Sequence, residues 1–454
     1  MHRRTLLQLL CGVPILSQLG GCRGVAHRGA PKNPDESVLV IGAGVAGLGA
    51  AERLQERGYR NITVLEARER IGGRVWTSTA WEQPVDLGAS WIHGPRRNPI
   101  TRLAREAGVE MRPTDFDDTI LYGPTGAVLS EDDQRRLSRL ERQAYSALGS
   151  RAGRDAPSLA DRLAQSLEDL SPDDQAMVDY LIHASIEQSF AEDVANLDAG
   201  ALEFGKEFGG GDVLFPGGYA SVFAPRFAEL DIRTGHVVAS VTWGSDGVVV
   251  TTNRGAFPAD RVILTLPLGV LKQEAVAFDP PLPEAKQAAI RAMGLGCLNK
   301  LYLQFPETFW PTDVEGFSYL APVTGRWSQW LNLSVYAETP ILLAFNAGSF
   351  ARETEAWSDD DVVGEAMSVL RRLFGRSIPE PTGFQRTRWA SDVFSYGSYS
   401  ALSSGVDEAT VHALGAPVSD RLFFAGEATS TDYPSTVHGA YLSGQREAER
   451  LIEI

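Results

Sequence analysis

The stretch Ser37–Leu48, SVLVIGAGVAGL, decides the fold of this 454-residue chain. Its apolar beginning predicts a buried strand, and Gly42, Gly44 and Gly47 predict a tight turn that opens a helix. In such a turn the first glycine bends the chain, the second lets backbone approach a pyrophosphate, and the third lets helix pack on strand. The stretch therefore predicts a βαβ unit that binds a dinucleotide.

The residues that follow support this prediction. The helix is expected to end at Gly58, and a second strand, Ile62–Leu65, runs directly into Glu66. An acidic side chain at this point can accept hydrogen bonds from both ribose hydroxyls of a dinucleotide. The order of elements is that of a dinucleotide-binding unit: strand, glycine turn, helix, second strand and acid. The full series makes the motif specific.

A second glycine turn indicates which dinucleotide is bound. In Ala67–Arg74, ARERIGGR, Gly73 lies in the turn together with Arg68 and Arg74. Arg68 and Arg74 can neutralise a pyrophosphate from the side opposite the first helix. This arrangement favours FAD over NAD.

Composition and charge restrict the partners. Hydrophobic residues make up 43% of the chain, which predicts a globular protein. A length of 454 residues is enough for two domains. The formal net charge of -16 argues against nucleic acid and favours a cationic small molecule. Its cysteines and histidines do not have metal-ligand spacing, so we expect no metal site.

The first residues differ from the rest of the chain. Arg3 and Arg4 precede an apolar run, Leu6–Leu19, that is shorter than a spanning helix. We therefore expect residues 1–22 to be a twin-arginine export signal, followed by a linker over residues 23–36. Leu19–Cys22 also resembles a lipoprotein box, so a lipid anchor on Cys22 and simple cleavage both remain open. Either outcome would place the protein outside the bacterial cytoplasm.

Hydrophobic periodicity outlines the remaining organisation. Helical spacing dominates residues 101–190, and alternation typical of strands dominates residues 231–267. The fold class predicted is mixed α/β, with a Rossmann-type FAD-binding domain interleaved with a substrate-binding domain of sheet and helices. We assign residues 37–100, 206–290 and 390–454 to the FAD-binding domain and residues 101–205 and 291–389 to the substrate-binding domain.

Further motifs carry a family resemblance. They are DLGASWIHG at Asp86–Gly94, FPGG at Phe215–Gly218, LDIRTGHVV at Leu230–Val238, LPLGVLK at Leu266–Lys272, the pair Asn299 and Lys300, GSYS at Gly397–Ser400, and FFAGEATSTDYPSTVHGAYLSG at Phe423–Gly444. Together with the opening motif, this series resembles the flavin amine oxidase family, in its polyamine oxidase-like branch. The likeness runs from about Ser37 to the C-terminus.

The resemblance implies a set of flavin-binding residues. Those expected to surround the ring, the ribityl chain and the adenine are Gly88, Ala89, Ser90, Trp91, Val238, Trp389, Gly426, Glu427, Thr436 and Val437. Some relatives attach the flavin through a cysteine near the C-terminus, but no cysteine follows Cys297 here. We therefore expect FAD to be bound non-covalently.

The resemblance also implies the catalytic residues. Lys300 matches a lysine that holds a water against flavin N5, and Tyr399 matches an aromatic wall above the ring. His93 matches a histidine at the pocket mouth, where it could bind substrate or carry a proton. Glu187 matches an acid that faces the substrate tunnel and could hold a distal ammonium.

Oxidation of spermine or spermidine is the function that these matches favour. A hydride would pass from the carbon beside nitrogen to flavin N5, hydrolysis would give an aldehyde and an amine, and O2 or another acceptor would reoxidise the flavin. An oxidase of L-amino acids or other primary amines is the first alternative. A non-catalytic flavin-binding protein is the alternative from another class.

Overall fold

A five-stranded parallel sheet lies at the centre of the computed structural model, which describes residues 33–149, 156–164, 167 and 169–454. Every neighbouring pair in this sheet is parallel. The strand order is Leu422–Phe424, Arg261–Leu264, Ser37–Ile41, Asn61–Leu65 and Ile232–Arg233. The chain leaves the middle strand toward one side and later returns on the other. A crevice therefore forms at the carboxyl ends of the strands, where open α/β sheets bind ligands.

The predicted βαβ unit is confirmed, with small shifts at its ends. The strand Ser37–Ile41 has the predicted bounds, the helix is Val45–Glu56 and the second strand is Asn61–Leu65. Gly42 has a φ of 106°, which favours glycine, and a Cβ at Gly47 would overlap the carbonyl oxygen of Gly42. The first and third glycines thus make the turn and the close packing that the motif requires.

The C-terminal helix packs directly on the first helix. It spans Val437–Glu453 and is capped by Thr436, whose Oγ1 accepts a hydrogen bond from Gly439 N at 2.9 Å. Glycines permit the close crossing, since a Cβ at Gly444 would overlap the backbone of Ala46. Two distant parts of the sequence therefore form one face of the dinucleotide unit.

The strand-rich region from Asp231 to Pro267 divides between two sheets, which the sequence did not indicate. A four-stranded sheet has the order Gly255–Ala259, Gly247–Thr252, Val238–Gly244 and Ala277–Asp279. Its first two pairs are antiparallel and its last pair is parallel. The strand Arg261–Leu264 belongs instead to the central parallel sheet, beside Ser37–Ile41.

A six-stranded sheet carries the lysine strand. Its order is Gly383–Arg386, Leu298–Gln304, Ile341–Ala347, Gln329–Asn332, Gly316–Tyr319 and Thr119–Tyr122. Only the last pair is parallel. Residues 297–303 alternate in sequence as a buried strand does, and the strand Leu298–Gln304 is paired on both sides and largely buried.

Residues 101–190, where helical spacing dominates, also contain two short strands, Arg112–Thr114 and Thr119–Tyr122, so the prediction of helix was wrong at those residues. Both strands pair with segments about a hundred or more residues away. Such distant pairing cannot be predicted from the local spacing of apolar residues. Ser171, followed by Pro172 and Asp174, has the sequence of a helix start, and the helix Pro172–Ile182 begins there with Ser171 Oγ accepting from Asp174 N at 3.2 Å. It continues as a π turn, His183–Glu187.

The remaining elements connect these sheets. The other helices are Pro99–Glu106, Glu131–Gly149, Leu159–Ala164, Gln188–Phe190, Ala224–Phe227, Leu268–Lys272, Glu284–Ala292, Ser334–Ala337, Gly348–Glu355, Asp359–Phe374 and Glu408–Gly415. Short 3-10 turns span Ala201–Glu203, Tyr219–Val222 and Glu427–Thr429. Small sheets pair Thr77–Ser78 with Val85–Asp86, Gly294–Gly296 with Tyr399–Ala401, and Asp212–Leu214 with both Trp91–His93 and Arg112–Thr114.

The mixed α/β fold class is confirmed, whereas the predicted domain bounds stay a prediction. Residues 119–122 and 316–319 share the six-stranded sheet, although they belong to separate segments of the predicted substrate-binding domain. The predicted export signal, with Arg3, Arg4 and Cys22, lies outside the described residues. In the part of the chain that the structure describes, no helix has the length and apolar character needed to cross a membrane.

Candidate active site

One large cavity, of about 510 Å³, opens at the carboxyl ends of the central sheet. It extends from the glycine turn to the lysine strand of the six-stranded sheet. All the predicted site residues line it except Gly47 and Glu187. Those that line it are Gly42, Gly44, Glu66, Arg68, Gly73, Arg74, Gly88, Ala89, Ser90, Trp91, His93, Val238, Lys300, Trp389, Tyr399, Gly426, Glu427, Thr436 and Val437.

The glycine turn leaves room and donors for a bound phosphate group. Gly44 precedes the helix Val45–Glu56, whose amino end has no side-chain cap. The backbone N–H groups of that turn therefore need an acceptor from elsewhere. The nearest atom to a Cβ at Gly44 would be Gly73 Cα, 4.0 Å away, so a side chain would occupy the space between the two glycine turns. Both features fit a pyrophosphate.

Glu66 is held by backbone at the end of its strand. Its carboxylate is buried and accepts hydrogen bonds from Ala43 N at 2.8 Å and Arg68 N at 2.9 Å. These bonds orient the acid toward the cavity beside the first glycine turn. This position suits the predicted contact with ribose hydroxyls.

The two arginines of the second glycine turn are both paired with carboxylates. Arg74 Nη1 lies 2.8 Å from Glu427 Oε1, and Glu427 also accepts from the hydroxyl of Ser400 at 2.6 Å. Arg68 forms two bonds to Asp392, at 2.7 and 2.9 Å. The guanidinium of Arg68 is thus bonded to Asp392, and its predicted contact with pyrophosphate stays a prediction.

Lys300 is buried and makes three hydrogen bonds. Its Nζ donates to Asp86 O at 2.7 Å, to Gly88 O at 2.6 Å and to Ser90 Oγ at 2.5 Å. Burial lowers the pKa of Lys300 to about 8, while the nearby Asp86 carboxylate opposes that change. The strand therefore delivers a weakly basic amine to the cavity wall, fixed against the DLGASWIHG segment.

Aromatic side chains surround the lysine. The Trp91 ring lies 5.6 Å from Lys300 Nζ and 5.9 Å from the Phe345 ring. Trp389 meets Trp76 edge to face at 6.2 Å, and the Tyr399 hydroxyl donates to Gln188 O at 3.2 Å. Among the described residues, the buried Trp91 Nε1 has no hydrogen-bond partner. Such a site is apolar and retains a donor for a bound molecule.

His93 lies at the cavity mouth, and a buried acid orients it. Its side chain is 53% exposed, whereas that of Asp212 is 2% exposed. His93 Nδ1 lies 3.1 Å from Asp212 Oδ2, and the two residues are direct partners across the small sheet. A carboxylate bound to one ring nitrogen favours a single tautomer of the imidazole. The mouth position agrees with the prediction for His93.

Glu187 does not reach the cavity, contrary to the expectation for a tunnel acid. Its Oε2 lies 2.8 Å from His183 Nδ1, and its Oε1 accepts from Val194 N at 3.0 Å. Its helix neighbours Ala184 and Gln188 line the cavity instead. The π turn adds one residue to a helical turn. Glu187 therefore lies on a different face of the helix from the one that a regular 3.6-residue period predicts.

Three acids that the sequence analysis missed line the cavity: Glu207, Asp212 and Glu315. Glu315 is half-buried, its Oε2 accepts from Asp115 N at 2.6 Å, and burial raises its pKa. Its position just before a strand gave no local signal. For Asp212 a signal existed, since it follows three glycines and begins a short apolar run.

The described residues contain no group of three or more histidine, cysteine, aspartate or glutamate side chains that could hold a metal ion. The site is instead composed of glycine turns, paired arginines, a buried lysine and aromatic rings. These are the components of a dinucleotide and organic-substrate site.

Comparisons with known proteins agree with this geometry. A family model described as flavin-containing amine oxidoreductase matches residues 45–452. Polyamine oxidase 2 of Arabidopsis thaliana is 35% identical over 94% of this chain and 90% of its own length. Probable polyamine oxidase 4 of the same plant is 33% identical over 91% of this chain and 86% of its own.

Other similar proteins extend the comparison. Lysine-specific histone demethylase 1 homolog 1 of Oryza sativa subsp. japonica is 34% identical over 93% of this chain, which spans about half, 53%, of that longer protein. A solved structure of putrescine oxidase with redesigned cofactor binding has a TM-score of 0.74 and 21% identity, and covers 92% of this chain and 99% of its own. At that identity the likeness shows the shared fold.

Proposed function

Because the chain belongs to the family of flavin-containing amine oxidoreductases, we propose that it binds FAD non-covalently and oxidises polyamines such as spermidine and spermine. One observation carries the proposal. A single cavity joins an uncapped glycine turn and the buried acid Glu66 to a buried lysine and to several further acidic side chains. An amine with more than one positive charge fits the acidic side of that cavity.

The site supports FAD rather than a smaller flavin. Glu66 and the turn at Gly44 have a function only if an adenine nucleotide half is present. The described part of the chain contains one cysteine, Cys297, which is fully buried and does not line the cavity. That placement supports non-covalent binding.

The chain's own residues prepare the amine for reaction. When bound, FAD would supply the redox chemistry, which is acceptance of a hydride from the carbon beside the amine nitrogen. Trp91, Phe345 and Tyr399 exclude water, which favours the neutral amine that the reaction needs. Lys300, with its lowered pKa, can hold a water or a proton at its Nζ. Hydrolysis then releases an aldehyde and a shorter amine.

The cavity supports a polyamine better than an amino acid. An L-amino acid needs a cation for its carboxylate, and among the described lining residues the arginines and lysines are Arg68, Arg74, Lys206 and Lys300. Arg68, Arg74 and Lys206 are already paired with carboxylates, and Lys300 donates to two backbone carbonyls and to Ser90. Glu207, Asp212 and Glu315 offer the opposite charge, which suits a distal ammonium.

Anaerobic reduction by substrate tests the proposal. Purified protein should be yellow, should release unmodified FAD on denaturation, and should lose its oxidised flavin absorbance when spermidine is added without oxygen. Identification of the aldehyde shows which carbon reacts, and peroxide formation shows whether O2 is the acceptor. A yellow protein that no polyamine reduces would refute polyamine oxidation, and reduction by an L-amino acid or a methyl-lysine peptide alone would replace it.

Glu315→Gln is expected to raise the KM for spermidine about tenfold, because it removes a charged acceptor from the cavity wall. Glu187→Gln is the matched control, since it removes an equal charge that lies outside the cavity. Its KM should change by less than about twofold, an effect within the usual range for a group that does not touch substrate. Steady-state kinetics with spermidine check both values. The reverse order of effects would return the substrate-binding role to Glu187.

Asp86→Asn should move the ionisation of Lys300 to lower pH. Burial raises the pKa of Asp86 to about 6, so this acid is charged while Lys300 titrates near 8. Its negative charge favours the ammonium form of Lys300, and the amide removes that charge. The measurement is the flavin reduction rate at saturating spermidine across pH 6 to 10. An ionisation that stays in place or moves upward would contradict the coupling.

We also propose export of the protein through its twin-arginine segment. Arg3, Arg4 and the apolar run to Leu19 support it. Fractionation of cells that express the full chain, compared with an Arg3→Lys and Arg4→Lys double variant, tests this. A soluble cytoplasmic location for both proteins would refute export.

A further inference from the structure

We propose that residues 389–398, here called the clasp, retain the dinucleotide, and that the ion pair between Asp392 and Arg68 is its latch. The clasp lies between the two ends of the cavity and contributes Trp389, Val393, Phe394 and Ser398 to its wall. The inference rests on the proposed FAD site. It assigns Arg68 a role through Asp392, in place of direct phosphate neutralisation.

The clasp is fixed firmly at its beginning. Trp389 N donates to Asn299 Oδ1 at 3.1 Å, next to Lys300. Glu355 accepts from Ala390 N at 2.8 Å and from Ser391 N at 2.7 Å. Glu355 also accepts from Asn299 Nδ2 at 2.7 Å. The first residues of the clasp are therefore tied to the lysine strand.

The other end is tied to the second glycine turn. Ser398 N donates to Gly296 O at 2.9 Å, and Ser398 O accepts from Arg74 Nη1 at 3.0 Å. Between these ends the clasp departs from regular secondary structure, and the Val393 side chain is 56% exposed although it lines the cavity. The middle of the clasp is a turn around Asp392, whose backbone O accepts from Ser395 N at 3.0 Å and from Tyr396 N at 2.7 Å.

The latch lies in this middle part. Asp392 bonds Arg68 with both oxygens, and Arg68 also lies over the Phe394 ring at 5.2 Å. Asp392 Oδ1 accepts from Phe394 N at 2.9 Å, so the acid fixes the fold of the clasp as well. Arg68 N in turn bonds Glu66. The pair thus connects the clasp to the residue that meets the ribose.

The pair has the geometry of an effective ion pair. Its side chains are 14% and 21% exposed, and the two bonds are parallel donors from one guanidinium to one carboxylate. Loss of the latch should let the clasp open more often. Because the clasp forms part of the cavity wall, FAD release should then accelerate roughly tenfold.

The two possible roles of Arg68 predict opposite changes in the rate of FAD release from the Asp392→Asn variant. If Arg68 acted directly on the phosphates, Asp392→Asn would free its positive charge and FAD release would slow. If the pair is a latch, the same change speeds release. Arg68→Lys keeps the charge but loses the planar pair of donors, so the latch predicts faster release there too.

The experiment measures FAD release from holoenzyme by the rise of flavin fluorescence after dilution. Glu449→Gln is the matched control, because Glu449 and Arg57 are 21% and 13% exposed, form a similar two-oxygen pair, and lie outside the cavity. We expect faster release from Asp392→Asn and Arg68→Lys, and wild-type release from Glu449→Gln.

Release from Asp392→Asn at or below the wild-type rate overturns the latch. Equal acceleration by Glu449→Gln also overturns it, since the effect would then be general destabilisation. If Asp392→Asn does not fold, Arg68→Lys decides in the same way. Wild-type protein that takes up no FAD would refute the proposed cofactor, which is a separate outcome from failure of the latch.

Discussion

Lys300→Met is expected to slow flavin reduction by spermidine about a hundredfold or more, the usual loss when a positioned proton-transfer group is removed. Methionine has a length similar to that of lysine and replaces its aliphatic stem. It cannot make the three hydrogen bonds that Lys300 Nζ makes to Asp86, Gly88 and Ser90. Stopped-flow absorbance under anaerobic conditions measures the reduction rate. FAD content per chain should match that of the wild type.

Lys286→Met provides the matched control. Lys286 is also buried, its Nζ donates to Ala413 O at 3.1 Å, and burial lowers its pKa to about 7. It does not line the cavity. Flavin reduction in this variant should stay within about twofold of the wild type. Equal losses in the two variants, or an unchanged rate in Lys300→Met, would remove the assigned role of Lys300.

The parts of the fold that the sequence predicted are those that local pattern determines. The strand Ser37–Ile41 is a continuous apolar run, and a characteristic glycine turn follows it. Its position in the middle of the sheet could therefore be predicted from the sequence. The strand of Lys300 was readable because its side chains alternate. Short strands such as Thr119–Tyr122 could not be predicted in this way. Pairing with the distant strand Gly316–Tyr319, rather than its own sequence, stabilises Thr119–Tyr122.

The site shows the same division between local and distant information. Residues inside glycine-rich or aromatic motifs, such as Gly44 and Glu427, line the cavity as expected. Glu187 differs because a π turn alters the helix face, which a regular period does not anticipate. The partner of Arg68 was hidden for another reason, since Asp392 lies 324 residues away in the chain. Long-range pairing of this kind leaves no trace in spacing.

Gly444→Ala should lower the free energy of unfolding by about 2 kcal/mol, because its Cβ would overlap the Ala46 carbonyl oxygen and force the two helices apart. Gly364→Ala is the matched control, since Gly364 lies within the helix Asp359–Phe374 and a Cβ there meets nothing within 4 Å. It should raise stability by about 0.5 to 1 kcal/mol, because alanine favours helix. Urea unfolding of the FAD-free proteins measures both changes. If both variants are stabilised, the helices of the dinucleotide unit tolerate separation, and close packing at Gly444 does not hold the amino end of Val45–Glu56 at the cavity.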